Sequence, residues 1–532
     1  MCPASAWRCA TWSIRRRSPA WPHRLLHGSR RPPRRIDADR VPILDFGNHT
    51  MKSIEPQLNL IAGERCAATS GRTLDVLDPS DGEVFTTLPR SDARDIDAAV
   101  AAARAAFHGA WGRTTATERG RIMMRLSALI LQHHTALSEL ECRDTGKPIQ
   151  QAQADIMACA RYFEYYGGAA DKLHGEMIPY AQGTTVMAVR VPHGVTGHII
   201  PWNYPAQIFG RSVGGALAAG NACVVKPAED ACLTPLRIAA LALEAGLPAG
   251  ALNIVCGLGI EAGAALASHT GINHISFTGS PQTGTAVAQA AAVNHVPVTL
   301  ELGGKSPQIL FADADLEQAL PVVVNAIVQN AGQTCAAGSR VLIDRAIHAQ
   351  VMAQLKERFE ALSTGPGLQG LDCGPLINRK QLERVQTMVE AARGDGVRVA
   401  ARARLVGGAP SGGFFFPPML LDDVPPAHTI AQSEVFGPVL AAMTFDGEDE
   451  AVDIANGTPF GLTAAVWTRD GARQLRVAHR IEAGQVFINN YGAGGGIELP
   501  FGGMKHSGYG REKAFEGLRG FTTIKTIAIK HG

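Results

Sequence analysis

Between residues 195 and 301 the chain alternates short apolar runs with segments whose apolar residues recur at helical spacing. The runs predict strands at Val195–Ile200, Ala222–Lys226, Leu252–Val255 and His274–Phe277, and the periodic segments predict helices at Ser212–Ala219, Pro235–Ala245, Ala262–Ser268 and Thr283–Ala292. Strands that alternate with helices are joined by right-handed crossovers and form a parallel sheet. The pattern therefore predicts a doubly wound α/β domain of the nucleotide-binding kind.

The same alternation resumes after Glu301 with a different set of elements. Helices are predicted at Leu316–Gln329 and Ile347–Leu362, with a strand at Arg340–Asp344 between them. A second α/β domain is therefore predicted to begin near residue 304. Residues 183–192 alternate in the manner of a strand, and with the preceding segment 175–182 they predict a hairpin that stands away from the main sheet.

The composition agrees with a folded protein of more than one domain. A chain of 532 residues is too long for one ordinary core, and 46% hydrophobic with 18% charged residues is typical of a globular protein. No apolar run approaches the roughly 20 residues that cross a bilayer. The ten cysteines show no CxxC pair and no metal-ligand spacing, so we expect neither disulfides nor a metal site, and a cytoplasmic location.

The first fifty residues differ from the rest of the chain. They contain ten arginines, no lysine and three acidic residues, a net charge of +7 in a chain of net charge +2. An organelle transit peptide, a nucleic-acid-binding arm and translation from an upstream start are the alternatives. Four prolines between residues 19 and 33 disfavour a long amphipathic helix, and aromatic residues are sparse among the arginines. Our hypothesis is that Met51 is the true start, and we expect no nucleic-acid partner.

Three residues at predicted element ends have the chemistry needed for acyl transfer. Cys335 follows a predicted helix, and a cysteine thiolate is a competent nucleophile. Glu301 ends the first α/β block, where a carboxylate can activate water. Asn203 directly follows a predicted strand, and its amide can donate a hydrogen bond to a developing oxyanion. A nucleophile, a base and an oxyanion donor are the minimum set for catalysis through a covalent acyl intermediate.

At these residues the sequence resembles the aldehyde dehydrogenase superfamily. The resemblance covers about nine-tenths of the chain, from roughly Leu60 to the C-terminus, in motifs that occur in family order and with family-like spacing. These motifs are Pro201–Pro205, Lys226–Glu229, Phe277–Ser280, Glu301–Lys305, Gly332–Cys335, Glu434–Pro438 and Pro500–Gly503.

The resemblance implies a role for each of the three candidate residues. Cys335 would attack the aldehyde, Asn203 and the Cys335 backbone N–H would hold the oxyanion, and Glu301 would deprotonate the water that hydrolyses the thioester. Family members that transfer the acyl group to coenzyme A generally lack this glutamate, so its presence favours a free acid as the product. The alternatives are an acylating semialdehyde dehydrogenase and a catalytically silent homologue.

The resemblance also implies cofactor contacts. Lys226 and Glu229 would contact the adenosine ribose, and Glu229 would repel a 2′-phosphate, which favours NAD while leaving NADP possible. Gly279 and Ser280 open a predicted helix, where backbone N–H groups can bind pyrophosphate. The nicotinamide end would be held by Glu434, with Trp202 and Phe436 beside it.

The substrate is the least determined feature. Arg211, Thr334 and Tyr491 fall where the family lines its substrate tunnel. Arg211 could hold a substrate carboxylate, as in succinate-semialdehyde dehydrogenases, or it could pair with a nearby acid. The glycine-rich segment 491–498 suggests a wide entrance for a ring-bearing or branched aldehyde, or else a tight backbone path.

The resemblance implies an α/β fold with a Rossmann-like cofactor domain, an α/β catalytic domain and a bridging β-hairpin. We assign 51–172 and 193–303 to the NAD-binding domain, 304–515 to the catalytic domain, and 173–192 with 516–532 to an oligomerisation element. The exposed strand edges of such a hairpin would be covered by a neighbouring subunit, so we expect a homodimer or homotetramer.

Overall fold

The computed structural model describes residues 54–492 and 496–531. The Arg-rich extension at 1–50 and the hypothesis about Met51 therefore lie outside the described residues. Strands up to residue 301 are β1 Asn59–Ile61, β2 Glu64–Cys66, β3 Thr73–Leu77, β4 Val84–Pro89, β5 Glu176–Ile178, β6 Thr184–Pro192, β7 Val195–Ile200, β8 Ala222–Pro227, β9 Leu252–Ile254, β10 His274–Thr278 and β11 Val298–Glu301. The α-helices are α1 Ala93–His108, α2 Ala116–Gln132, α3 His134–Thr145, α4 Ile149–Ala169, α5 Pro205–Ala219, α6 Leu233–Glu244, α7 Ala264–Ser268 and α8 Pro281–Ala292.

The rest of the chain continues the alternation. Its strands are β12 Pro307–Leu310, β13 Arg340–Asp344, β14 Ser363–Thr364, β15 Arg398–Arg402, β16 Arg404–Leu405, β17 Met419–Asp422, β18 Val439–Phe445, β19 Phe460–Gly461, β20 Thr463–Trp467, β21 Gln485–Ile488, β22 Met504–Lys505, β23 Gly508–Tyr509 and β24 Thr522–Lys530. Its helices are α9 Leu316–Val328, α10 His348–Ala361, α11 Arg379–Gly394, α12 Thr429–Gln432, α13 Gly447–Asn456, α14 Gly471–Arg480 and α15 Ala514–Gly520.

The fold is built on two large sheets of eight and seven strands. The first has the order β2-β1-β9-β8-β7-β10-β11-β23, and its five central strands are parallel. The second has the order β15-β17-β18-β13-β12-β20-β21, in which every neighbour pair except β15-β17 is parallel. Helices cover both faces of such sheets, which is why β8 is buried along its whole length. The predicted α/β fold with parallel sheets is confirmed.

The hairpin strands β5 and β6 form a third, antiparallel sheet with β24. Strand β24 pairs with β6 along all nine residues, from Thr522 opposite Pro192 to Lys530 opposite Thr184. No helix among the described residues is long and apolar enough to cross a lipid bilayer.

Most predicted elements occur within a few residues of their expected bounds, and β7 and β13 match them. The largest difference is at α5, predicted from Ser212 but beginning at Pro205. Proline suits the first helical position because its missing N–H has no helical partner there, so the motif that follows β7 already starts the helix. Before α7, the segment Gly259–Gly263 forms a π-helical turn.

The sheet pairing crosses one predicted domain boundary. Residues 508–509, assigned to the catalytic domain, form β23, which pairs antiparallel with β11 of the first sheet. Leu518 and Phe521, assigned to the oligomerisation element, pack in the hydrophobic core of the first sheet. The reason is that the chain returns to the first sheet before it reaches β24, which local sequence patterns do not reveal.

Candidate active site

The carboxyl ends of the parallel strands bring several candidate residues to one edge of the first sheet. Asn203 lies just beyond β7, Gly279 and Ser280 follow β10, and Glu301 is the last residue of β11. Ser280 caps α8, its hydroxyl accepting a hydrogen bond from the Thr283 N–H at 3.3 Å. Ligands of open α/β sheets bind at this edge, because loops and helix N-termini converge there.

A cleft of about 410 Å³ opens at this edge, a size within the range of small-molecule sites. It brings together the three catalytic candidates and five of the seven cofactor candidates. Its lining comprises Pro201, Trp202, Asn203, Thr278, Gly279, Ser280, Pro281, Gln282, Glu301, Gly303, Cys335, Gln381, Arg384, Gln432, Ser433, Glu434, Phe436, Pro459 and Phe460. Lys226, Glu229, Arg211, Thr334 and Tyr491 are not among the lining residues.

Cys335 lies between α9 and β13, after a turn of unusual backbone conformation. Asn330, Ala331 and Gly332 have φ angles of 49°, 52° and 70°. A run of left-handed residues that includes an alanine is strained, and such strain is typical of functional sites. The Cys335 side chain is partly exposed and packs against a small apolar cluster of Ala336, Leu462 and Phe501. Burial raises the pKa of the Cys335 thiol to about 11, although the Arg211 guanidinium opposes the rise.

Asn203 is held at both its side chain and its backbone. Its Nδ2 donates to the backbone oxygen of Gln333 at 2.9 Å, two residues before the cysteine. Its backbone oxygen accepts hydrogen bonds from Lys147 Nζ at 3.0 Å and from Asn330 Nδ2 at 2.9 Å. One N–H of the Asn203 amide is used in this way, and the second is left as a donor for the cleft that Asn203 and Cys335 both line.

Lys147 was not anticipated from the sequence, where nothing distinguishes it from an exposed lysine. Its side chain is fully buried, and Nζ lies 3.1 Å from Glu141 Oε1 and 2.6 Å from Asp155 Oδ2. It also lies 4.6 Å from the centroid of the Tyr204 ring. Burial opposes the charged form, but the two carboxylates outweigh it and raise the pKa of Lys147. A buried ammonium thus fixes the segment that presents Asn203.

Glu301 is 1% exposed, and among the described residues neither of its carboxyl oxygens accepts a hydrogen bond. Burial raises the pKa of Glu301 well above its ordinary value, opposed chiefly by Arg211. The carboxyl group lies close to Gly502, where a Cβ would be 2.9 Å from Glu301 Oε1. An unpartnered buried carboxyl group at a cleft is suited to proton transfer.

Glu434, Trp202 and Phe436 line the same cleft as a group suited to an aromatic cationic ring and its sugar. Glu434 Oε1 accepts a hydrogen bond from the Gly304 N–H at 3.1 Å, and burial raises the pKa of Glu434 to about 7. The rings of Trp202 and Phe436 lie 5.3 Å apart, edge to face. Their surfaces give the cleft one aromatic wall.

Lys226 and Glu229 form a pair at the end of β8, with Lys226 Nζ 2.6 Å from Glu229 Oε2. The second carboxylate oxygen accepts a weaker hydrogen bond from the Gly259 N–H at 3.3 Å. Burial opposes the ionised form of Glu229, but the Lys226 charge and hydrogen bond lower the pKa below its ordinary value. A fixed negative charge is therefore present where the adenosine ribose was predicted to bind.

The three substrate-tunnel candidates already have polar partners. Arg211 is buried and forms an ion pair with Glu512. The Thr334 hydroxyl lies 2.7 Å from the Tyr204 hydroxyl, and Tyr491 donates to the backbone oxygen of Ala336. Of the two roles considered for Arg211, the structure shows the pairing with an acid. Residues 493–495 are outside the described part of the chain, so a wide entrance remains a prediction.

Among the described residues, His348, Asp422 and Asp423 place possible metal ligands within 4.8 Å of one another. The Arg398 guanidinium forms ion pairs with both carboxylates. Its positive charge offsets one of the two carboxylate charges, and none of these residues lines the cleft.

Comparison with known proteins decides the family. A family model described as the aldehyde dehydrogenase family matches residues 66–527. The chain belongs to the aldehyde dehydrogenase family. A hydroxyisobutyraldehyde dehydrogenase of Mycolicibacterium austroafricanum is 40% identical over 479 residues, covering 90% of this chain and 94% of that protein.

Solved structures of the family share the fold. The crystal structure of a candidate aldehyde dehydrogenase from Burkholderia cenocepacia has a TM-score of 0.89 and 66% identity, covering 89% of this chain and all of that one. Betaine aldehyde dehydrogenase from Staphylococcus aureus, solved in complex with NAD+, has a TM-score of 0.87 and 35% identity, covering 89% and 95%. The predicted family membership is confirmed.

Proposed function

We propose that the chain oxidises an aldehyde to a carboxylic acid, with NAD as the oxidant and a thioester on Cys335 as the intermediate. The observation that carries this proposal is a single cleft whose lining includes Cys335, Glu301 and Asn203 together with Trp202 and Glu434. Overall, an aldehyde, NAD+ and water become a carboxylate, NADH and two protons.

In the first half of the reaction, Cys335 Sγ bonds to the aldehyde carbon and the carbonyl oxygen becomes an oxyanion. The second N–H of the Asn203 amide and the backbone N–H of Cys335 stabilise that oxygen. Because a thiol with a pKa of about 11 is mostly protonated at neutral pH, attack requires the proton to pass to a nearby base. We assign this proton to solvent water in the cleft, and we assign Glu301 only to the second half of the reaction.

In the second half, Glu301 accepts a proton from water as the water oxygen bonds to the thioester carbon. The carbon–sulfur bond then breaks, the acid is released and the Cys335 thiolate is restored. Burial favours Glu301 in its neutral form, which makes it a strong base once it is ionised. Hydrolysis, rather than transfer to another thiol, follows from the presence of this base.

NAD, when bound, supplies the hydride acceptor that converts the thiohemiacetal to the thioester. Glu434 suits the nicotinamide ribose and the Ser280 end of α8 suits the pyrophosphate. The negative charge of Glu229 would repel a 2′-phosphate, which favours NAD over NADP. Support also comes from the family relative solved with NAD+, which shares the fold along 89% of this chain.

The proposal is tested by following NADH formation with a panel of aldehydes, with NADP in parallel. Cys335→Ala should abolish oxidation while NAD binding persists, and Glu301→Gln should give an initial burst of NADH followed by slow thioester breakdown. Cys66→Ala is the matched control, because Cys66 is also partly exposed but lies outside the cleft. Turnover by Cys335→Ala above background would refute the nucleophile, and a lost burst in Glu301→Gln would assign Glu301 an earlier step.

The same assay addresses the two alternatives. An acylating enzyme would require coenzyme A for turnover and release an acyl thioester rather than an acid. A catalytically silent homologue would bind NAD but form no NADH with any aldehyde of the panel.

We further propose that the protein self-associates as a homodimer or homotetramer through the β24-β6-β5 sheet. Strand β24 is exposed after its first residue, and Met177, Ile524 and Ile529 are 67%, 60% and 45% exposed. Exposed apolar side chains on a sheet with uncovered edge strands are typical of a subunit interface. We also keep a cytoplasmic location as a proposal, since all eight described cysteines are free thiols.

A further inference from the structure

A buried ion pair between Arg211 and Glu512 lies near the proposed base Glu301. Arg211 on α5 contacts Glu512 through Nε and a carboxylate oxygen, and the two residues are 4% and 1% exposed. The other carboxylate oxygen of Glu512 accepts a hydrogen bond from Ser276 Oγ at 2.6 Å, and Ser212 Oγ donates to Ser276 Oγ at 2.9 Å. The pair is therefore fixed in position, and solvent screens its charges little.

The Arg211 guanidinium reaches the strand residue that lies next to Glu301. Its Nη2 donates to Thr278 Oγ1 at 3.2 Å, and Thr278 is the residue of β10 that lies opposite Glu301 on the neighbouring strand β11. The guanidinium carbon also lies 5.1 Å from the centroid of the Phe501 ring, and Phe501 belongs to the small apolar cluster against which Cys335 packs. One cation is thus placed near both reacting groups of the proposed mechanism.

Four charged side chains face Glu301, and they do not act alike. Arg211, Arg511 and Lys513 favour its ionised form and Glu512 disfavours it, with Arg211 the strongest of the four. Arg511 reaches the space above Gly502 that Glu301 also borders, and Lys513 Nζ lies 5.0 Å from the centroid of the Phe501 ring. Burial lowers the pKa of Lys513 to about 8, so its charge is partly lost in the alkaline range while that of Arg211 persists.

We propose that Arg211 is a positioning residue for the catalytic pair: clamped by Glu512, its permanent positive charge promotes ionisation of Glu301 and Cys335, and it does not bind a substrate carboxylate. The proposal rests on the proposed function for its consequence in hydrolysis. The acid–base balance of the site then depends on Arg211 and Glu512, two residues that do not line the cleft.

The first experiment compares how the rate of thioester hydrolysis depends on pH in the wild type, Arg211→Gln and Glu512→Gln. In Arg211→Gln the midpoint of the rise in rate should move up by about 1 pH unit, because Glu301 loses its main cation. In Glu512→Gln the midpoint should move down, because an anion that opposes ionisation is removed. A residue that only supports the fold would lower the rate in both variants without moving the two midpoints in opposite directions.

The second experiment requires neither aldehyde nor NAD. Alkylation of Cys335 by iodoacetamide at pH 9 should be several-fold slower in Arg211→Gln, because a smaller fraction of the thiol is ionised. Glu512→Gln should change this rate less, since Glu512 is not among the charges that act on the Cys335 thiol most strongly. Alkylation at the other cysteines is subtracted with Cys335→Ala in each background.

Controls separate the electrostatic effect from damage to the fold. Removing one partner of a buried ion pair is destabilising. The double variant Arg211→Gln/Glu512→Gln removes both charges, so it should be more stable than either single variant. Arg143→Gln removes the guanidinium from another largely buried ion pair, the one with Asp78. It should leave the pH dependence of thioester hydrolysis and the rate of Cys335 alkylation unchanged.

The outcomes are distinguishable. Midpoints that move together, or an unchanged alkylation rate in Arg211→Gln, would overturn the inference even if the wild type oxidises aldehydes. A wild type that forms no NADH with any aldehyde would instead refute the proposed function, and the alkylation rates would still test the charge of Arg211. A rise in KM confined to carboxylate-bearing aldehydes in Arg211→Gln, with no midpoint shift, would assign Arg211 to the substrate.

Discussion

At the scale of single residues, the candidate site depends on charged groups that are buried. Glu301 has no hydrogen-bond partner among the described residues, whereas Lys147 is surrounded by acceptors. The difference suits their proposed roles, because a base must exchange its proton and a support must not move. The catalytic candidates could be recognised from motifs, but Lys147 and Glu512 could not, since their importance arises from burial and from partners distant in the chain.

We expect Lys147→Met to weaken both folding and catalysis. The substitution keeps most of the side-chain volume but leaves Glu141 and Asp155 as buried carboxylates without their cation, which costs about 3–5 kcal/mol in comparable cases. Urea denaturation should show the lower free energy of unfolding, and kcat should fall because the Asn203 carbonyl loses one of its anchors.

Lys356→Met is the control for this prediction. Lys356 is an exposed lysine whose Nζ lies 3.9 Å from Glu360, and removal of such a surface pair changes stability by less than about 1 kcal/mol. Equal unfolding free energies in the two variants would contradict the structural role of Lys147.

At the scale of elements, strand β24 remains largely exposed in the single chain. It pairs with β6 on one edge, yet eight of its nine residues are exposed. It lies within the segment 516–532 that was assigned to the oligomerisation element. The return of residues 508–509 to the first sheet was not predicted, because a two-residue strand has no periodicity to detect.

We expect Ile524→Asp to weaken self-association at least about tenfold, since burial of an uncompensated charge in an apolar interface costs more than 1.4 kcal/mol. Sedimentation velocity over a concentration series would measure the change. Leu475→Asp is the matched control, because Leu475 is 61% exposed but lies on α14, outside the hairpin sheet. Unchanged association in Ile524→Asp would exclude this sheet as the interface.

At the scale of the whole molecule, the two parallel sheets supply different parts of one cleft. Asn203, Gly279 and Glu301 come from the edge of the first sheet, whereas Cys335 and Glu434 come from loops of the second. The described residues belong to one compact unit, and the family match begins at residue 66. The machinery of the proposed reaction is therefore contained in that unit.

We expect a protein that begins at Met51 to keep the unfolding temperature and the kcat/KM of the full chain. Removal of residues 1–50 changes the formal net charge from +2 to −5, so the shorter protein should bind more strongly to an anion-exchange column at pH 7. Differential scanning calorimetry and NADH formation would check the first expectation. Loss of activity at unchanged stability would show that the first fifty residues contribute to the site.

The sequence by itself determined the alternating α/β architecture and predicted which residues serve as nucleophile, base and oxyanion donor. It could do so because periodicity and short motifs are local properties of the chain. Only the tertiary structure decided that Arg211 pairs with Glu512 and that Lys147 reaches Asn203, 56 residues further along the chain. Packing of distant segments sets which charges are buried together, and burial sets their strength, so local spacing could predict neither.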